Sequence, residues 1–399
     1  MSSKQDFSQR AKIKVIGVGG GGNNAITRMF EYGAHGVDFY IANTDAQVLA
    51  GSSVPNKLIL GEKSTKGLGA GANPEVGKAA AIESEAELKE SLKDADLIFI
   101  TAGMGGGTGT GAAPVIARIA QETGALVVAI VTKPFRFEGK YRNQFAEEGI
   151  IELKKYVDST IVISNDRLLE FIGAKPIQEA FGEADAILKQ GVQTITDLIA
   201  VPALINLDFA DVKTVMSKKG NALFGIGLGT GPDKANLAAN DAISSTLLEA
   251  SINGARDVIV NVTGGEGISL NDAYDVVDVV NQAIDNPEVN IVFGVAINKE
   301  LTEKDELVVT VIATGFDENK DIEQNIIKPS VKPTTVSSFA NLRSSNLTKQ
   351  AQKSIETLKT TTFEEEIFNA HQTMQSSSLL NNEEQQQEEL DNDFPTFLK

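Results

Sequence analysis

Apolar residues in the first 165 positions come in continuous runs of strand length. They are KIKVIGV (12–18), VDFYIAN (37–43), DLIFITA (96–102), ALVVAIVT (125–132) and STIVISN (159–165). Helical spacing fills the intervals, near 23–32, 76–93, 111–122 and 141–156. A strand apolar at successive positions is covered on both faces, and strands that alternate with helices pair in parallel. The pattern therefore predicts an α/β fold with a parallel sheet. A long stretch over 177–200, IQEAFGEADAILKQGVQTITDLIA, has the spacing of a helix buried between two units. Beyond Pro202 the runs 221–229, 257–264, 290–297 and 306–314 predict strands, with helical segments near 209–217, 234–250 and 270–284. The last two strands have no helix between them, so this part reads as a smaller α/β domain with a mixed sheet.

The composition breaks after Gly315. All 36 glycines lie at or before it, and the polar, glutamine- and glutamate-rich chain that follows cannot bury enough apolar surface to order itself. The expected divisions are an extension (1–11), a first domain (12–176), a central helix (177–202), a second domain (203–316), a disordered linker (317–390) and a terminal peptide (391–399). In that peptide Phe394, Pro395, Phe397 and Leu398 form a small apolar cluster beside Asp393. It reads either as a frayed end or as a docking motif on a tether.

Charge and rare residues narrow the chemistry. The net charge of −18 disfavours nucleic acid as a partner, and no concentrated run of Lys or Arg is visible. No cysteine is present, which excludes disulfides, thiolate nucleophiles and cysteine-held zinc. The two histidines, His35 and His371, are far apart, which argues against a Ser-His-Asp mechanism or a multi-histidine metal site. No apolar run reaches the length of a membrane span, and the polar N-terminus predicts no secretory signal.

Two glycine loops carry the candidate chemistry. The first strand ends in GVGGGGNNA, where Gly17-x-Gly19-x-x-Gly22 with Asp38 downstream satisfies the dinucleotide fingerprint. That spacing alone suits a nicotinamide oxidoreductase or a merely well-packed turn. A second, richer loop, GMGGGTGTGAAP (103–114), follows the strand at 96–102. Two such loops at strand C-terminal ends share one crevice and can wrap a polyphosphate with backbone N–H groups. Thr108 and Thr110 add hydroxyls. Neither loop holds the lysine of a P-loop.

GGGTGTG (105–111) resembles the signature of the tubulin/FtsZ superfamily of GTPases. IKVIGVGGGGNNA (13–25), NTDAQ (43–47), GLGAGANPEVG (67–77), VTKPFRFEG (131–139), ISNDRLL (163–169) and NLDFADVKTVM (206–216) stand in the order and spacing of bacterial FtsZ. Ser164 stands where proline is common and Ala203 where glycine is common. The resemblance implies a GTP-binding first domain and a second domain that activates hydrolysis. It implies that Gly20, Gly21, Gly22, Asn23 and Asn24 form the first phosphate loop. Asp45 would help position the nucleotide, and Ala70, Gly71 and Asn73 would sense the γ-phosphate. Gly103, Gly105, Gly106, Gly107, Thr108, Gly109 and Thr110 would cradle the phosphates. Glu138 and Arg142 would meet the ribose, and Asn165, Phe181 and Asp185 would read guanine. It also implies GTP/GDP with Mg²⁺, and a cytoplasmic protein assembled at the division site on the inner face of the membrane.

Asp208 and Asp211 are three apart at the start of a short helical pattern, a spacing that suits helix capping at least as well as catalysis. In the resembled family this segment completes the active site of the next subunit in a head-to-tail filament. That role implies that the two aspartates polarise water, with Asn206 supporting them. DFPTFLK resembles the family's terminal peptide, with Phe394 for isoleucine and Lys399 for arginine, and implies tethering division proteins such as FtsA or SepF. A Rossmann oxidoreductase would leave the second glycine loop and NLDFAD unexplained. A GTP-binding scaffold without turnover would have no use for both aspartates.

Overall fold

The computed structural model describes residues 11–31, 33, 36–167, 177–200, 205, 208–245, 250–298, 301–302 and 305–316. The predicted linker, the terminal peptide and Asn206 lie outside the described residues.

Six strands form the parallel part: β1 (Ile13–Val18), β2 (Val37–Asn43), β3 (Asn56–Ile59), β4 (Leu97–Gly103), β5 (Leu126–Lys133) and β6 (Ser159–Ser164). The helices between them are α1 (Gly19–Glu31), α2 (Ala46–Ala50), α3 (Glu62–Thr65), α4 (Pro74–Glu83), α5 (Glu85–Leu92), α6 (Thr108–Glu122) and α7 (Lys140–Leu153). Then follow α8 (Ile177–Ala200), α9 (Phe209–Met216), β7 (Gly220–Thr230), α10 (Lys234–Ser244), β8 (Asp257–Gly264), α11 (Leu270–Ile284), β9 (Asn290–Ile297) and β10 (Glu306–Thr314). The strand order is β3-β2-β1-β4-β5-β6-β7-β10-β8-β9. β10 runs antiparallel to β7 and β8, so the second half is mixed as its pattern predicts.

Both faces of the parallel half are buried, as the unbroken apolar strands require. Along β4, Leu97 and Phe99 enter one core with α1, α8 and α9, while Ile98 and Ile100 enter another with α4, α6 and α7. A third core packs β8 and β10 against α10 and α11.

The two halves share one sheet, which the sequence pattern does not predict. Only Ser159–Ile161 of β6 pair with Gly220–Ala222 of β7. Asp158 reinforces that seam. One carboxylate oxygen accepts from Val127 N (2.9 Å), and the other accepts from Lys218 N (3.2 Å) and Ser217 Oγ (3.3 Å). Its carbonyl accepts from Lys219 and Gly220. Asp158→Ala would strip three donors of their acceptor. It should lower stability by about 2–4 kcal/mol, read as a shift in the urea midpoint.

Candidate functional site

The glycine loops meet at the C-terminal edge of β1 and β4, and the glycines there fall into two groups. Some permit backbone to touch backbone. A Cβ on Gly22 would lie 2.3 Å from Thr101 O, one on Gly19 2.7 Å from Gly109 N, and one on Gly109 2.5 Å from Gly103 O. A Cβ on Gly107 would lie 2.8 Å from Asn73 N and 2.9 Å from Ala70 Cβ, so the bare glycine lets the 70–73 loop approach the second glycine loop. A Cβ on Gly21 would lie 3.3 Å from Gly103 Cα. The other group opens into the crevice: a Cβ on Gly20, Gly71 or Gly106 would meet nothing within 4 Å. Gly105, with φ +92, needs the left-handed region as well as space. The result is a backbone cradle lined by bare backbone and closed beneath by close packing.

Several predicted side chains serve the cradle from below. Asn23 is buried. Oriented to suit its neighbours, its amide donates to Gly17 O (2.8 Å) and Gly19 O (3.0 Å) and accepts from Asn43 Nδ2 (3.1 Å). Asn24 is exposed. Thr110 is buried and its hydroxyl accepts from Gly105 N (2.8 Å), so it braces the loop from within. Thr108 is half-buried and shares a 2.6 Å hydrogen bond with Thr44 Oγ1. Asp45 caps α2 by accepting from Gln47 N (2.9 Å), and Asn73 caps α4 by accepting from Glu75 N (3.0 Å). Glu138 accepts from Phe135 N (3.0 Å) and pairs with Arg142, so both residues order the turn after β5. Arg136 holds that turn to Asp166, just beyond β6.

The residues predicted to read a base lie beyond β6 and on α8. Asn165 is buried and its Oδ1 has no partner, an orphaned acceptor of the kind a ligand donor would satisfy. The Phe181 side chain lies outside the described residues. Asp185 has a largely buried side chain, 3.6 Å from Arg28 of α1. Burial raises its pKa to about 6 against the opposing pull of Arg28. The sequence reading missed Arg28, because nothing local signals a partner 157 residues away.

The sign of that shift gives a test. Native Asp185 holds its proton more tightly than the unfolded chain does. Its ionisation therefore costs stability as pH rises from about 4 to about 6, and the cost levels off above that. If the ionised carboxylate accepts guanine N1–H and N2–H, GDP affinity should fall about tenfold per unit as pH drops below 6. Asp185→Asn should remove that dependence. Titration calorimetry of both proteins at pH 5–8 cancels the titration of the phosphates themselves.

Asp208 and Asp211 form a reciprocal capping box at the start of α9. Asp208 Oδ1 accepts from Asp211 N (2.8 Å) and Asp211 Oδ2 accepts from Asp208 N (3.1 Å). Capping is thus realised, and it leaves one oxygen of each carboxylate without a partner among the described residues. The far end of α9 is tied to the edge of the sheet opposite the cradle. Ser159 Oγ donates to Met216 O (2.6 Å) and Thr314 Oγ1 donates to Val215 O (2.7 Å). The eight-residue β5 separates the two edges by roughly 26 Å, and α9 is only about 12 Å long. The aspartates of one chain therefore stay more than about 10 Å from its own cradle.

Large apolar side chains stand exposed around both regions. Leu68 and Phe137 lie on the loops near the cradle, and Tyr141 lies in the first turn of α7. Leu270 and Tyr274 stand one turn apart on α11, and Ile297 ends β9 near Ile205, which bridges to Val295. Among the described residues no helix is long and apolar enough to cross a membrane.

Comparison with known proteins agrees with this architecture. Residues 12–173 match the tubulin/FtsZ family GTPase domain and residues 220–317 the FtsZ family C-terminal domain. An empty FtsZ dimer from M. jannaschii is 43% identical over 77% of this chain and 88% of that one, with a TM-score of 0.73. Two proteins from Haloferax volcanii share the fold at lower identity. CetZ1, a GDP-bound monomer, is 18% identical over 78% of this chain and 97% of that one, with a TM-score of 0.67. CetZ2, a GTPγS-bound protofilament, is 20% identical over 78% and 96%, with a TM-score of 0.66. With its two glycine loops forming a backbone cradle, its mixed second half and this degree of identity, the chain belongs to the tubulin/FtsZ family and is a GTPase.

Proposed function

We propose that the protein is a self-assembling GTPase whose active site is divided between neighbouring subunits of a head-to-tail filament. The observation that carries this reading is that α9, which the aspartate pair caps, is tied to the sheet edge opposite the cradle and is too short to reach it. In the proposed cycle the glycine loops bind the triphosphate, with Gly20, Gly71 and Gly106 leaving room for it. Asn165 and Asp185 read guanine. Asp208 and Asp211 of the adjacent subunit use their spare oxygens to orient a water for in-line attack on the γ-phosphate, with Asn206 in support. Mg²⁺, when bound with the nucleotide, would supply charge neutralisation of the phosphates.

The exposed apolar side chains near the cradle and on α11 support association of unlike faces, which gives a filament when the rotation does not close. The similar proteins described as a dimer and as a protofilament support the same reading. Within it, the protein builds the bacterial division ring. The domain boundaries proposed from the sequence keep their roles there, and Asp393–Leu398 docks a membrane-tethering division protein such as FtsA or SepF. A weak contact repeated along a filament gains strength by avidity.

GTP turnover measured against protein concentration tests assembly dependence. Little activity is expected below a critical concentration, with linear growth above it. Turnover per molecule that is constant at all concentrations would overturn the reading.

A further inference from the structure

The chain carries a net charge of −18, yet six of its cations converge where the strands begin. A cleft of about 960 Å³ opens at the N-terminal edge of β5, β6 and β7. Lys154, Lys155, Lys213, Lys218, Lys219 and Arg256 line it, with Asp158 the one carboxylate among the described lining residues. Asp158 is already committed to three donors at the seam. Lys155 pairs with Glu152, and Lys219 with Asp257 at 2.5 Å. Lys213 and Lys218 are exposed and make no ion pair among the described residues. These residues are scattered through the sequence, so the fold alone gathers them. Offsetting the C-terminal dipoles of α7 and α9 accounts for Lys154, Lys155 and Lys213, and the pair with Asp257 for Lys219, but neither accounts for Lys218.

We propose that this cleft docks an extended acidic segment of a partner protein. Charge complementarity is the first argument. On an acidic chain a carboxylate-rich peptide is repelled elsewhere and drawn to this basin. The second is the form of the cationic lining. α6, α7 and α9 end at the cleft, and among the described residues no helix N-terminus there offers the converging N–H groups that a compact phosphate needs. Ammonium groups on long, flexible stems suit dispersed carboxylates instead. Phe316 and Val157 add an apolar patch for one hydrophobic anchor. The walls come from α6, α7 and β5 on one side and from α9, β7, Arg256 and Phe316 on the other, so a bound segment clamps the seam. Since Asp208 caps the start of α9, the clamp would also adjust turnover, a consequence that rests on the proposed role of that aspartate pair.

The test uses the full chain and a fluorescein-labelled ten-residue peptide of glutamates with two phenylalanines, followed by anisotropy. Saturable binding is expected at about 50 mM salt, weakening at least tenfold near 300 mM. The double variant Lys213→Glu/Lys218→Glu should weaken binding by more than about tenfold, while Lys57→Glu/Lys93→Glu changes it less than about twofold. If the first double variant does not melt cooperatively, Lys218→Gln replaces it, with an intermediate loss expected. Four results would overturn the proposal. They are no saturable binding, equal loss in both double variants, displacement by tripolyphosphate at lower concentration than by unlabelled peptide, or tighter binding of an oligothymidylate of equal charge. None of these readouts depends on hydrolysis, so the docking site can fail while the divided active site stands, and the reverse.

Discussion

Replacing Asp208 by asparagine is expected to lower GTP turnover by about 10²–10³-fold while leaving nucleotide affinity and thermal stability almost unchanged. The two roles of this residue separate cleanly. As an N-cap it needs only an oxygen that accepts from Asp211 N, and asparagine supplies one as well as aspartate does. As a group that orients water it needs the negative second oxygen, which asparagine lacks. Asp211→Ala should show the complementary pattern: binding retained, most turnover lost, and about 1 kcal/mol of stability lost with the N3 partner of the box. Steady-state turnover, GDP titration and thermal melts on the same samples give all three quantities. If turnover falls only as far as the unfolded fraction rises, the pair is a cap and nothing more. If Asp211→Ala loses nucleotide affinity, the aspartates belong to the cradle of their own chain.

The second large effect is a contrast between two glycines five residues apart. Gly111→Ala should destabilise the protein by about 3 kcal/mol or more and remove nucleotide binding with the fold. Its Cβ would lie 1.9 Å from Pro74 O and 2.7 Å from Lys78 N, where α6 meets α4 backbone to backbone. Gly106→Ala should leave the melting temperature within a degree or two and weaken GDP binding by roughly ten- to a hundredfold. A Cβ at Gly106 meets no protein atom beyond its chain neighbours within 4 Å, so a loss of affinity without a loss of stability would mark a clash with bound nucleotide. Equal losses of stability at both positions would mean that the second loop is packed throughout and holds no phosphate.

Glycine richness was legible in the sequence; the division of labour among the glycines was not, because close approach is a property of chain segments far apart. Gly77, for example, would place a Cβ 2.3 Å from Gly107 O, thirty residues away. The alternation of apolar strands and helices was readable because it follows from burial on both faces of each strand. It missed β3 and α2, which are four and five residues long and carry too little pattern to register. The predicted helix over 76–93 is two helices, α4 and α5, meeting at Ser84. That residue ends the first helix and accepts from Gly61 N and donates to Ile59 O through its hydroxyl. The shared sheet escaped the reading because three residue pairs join segments some sixty residues apart. Among candidate site residues, motif order singled out the glycine loops and the aspartate pair, whose roles belong to the proposed function. It could not tell that Thr110, Asn23 and Glu138 spend their hydrogen bonds within the chain, nor that Arg28 would oppose the rise in the Asp185 pKa.

The claim of an active site built from two molecules is tested most directly by mixing two inactive variants. Asp211→Ala keeps an intact cradle and lacks the water-orienting pair. Gly106→Asp keeps that pair and repels nucleotide phosphate through a carboxylate in the cradle. Each alone should be nearly inert. In an equimolar mixture about a quarter of the head-to-tail contacts join an intact cradle to an intact aspartate pair, so turnover should rise to a substantial fraction of wild type. Turnover that remains the sum of the two separate rates would contradict the account and return both halves of the site to a single chain.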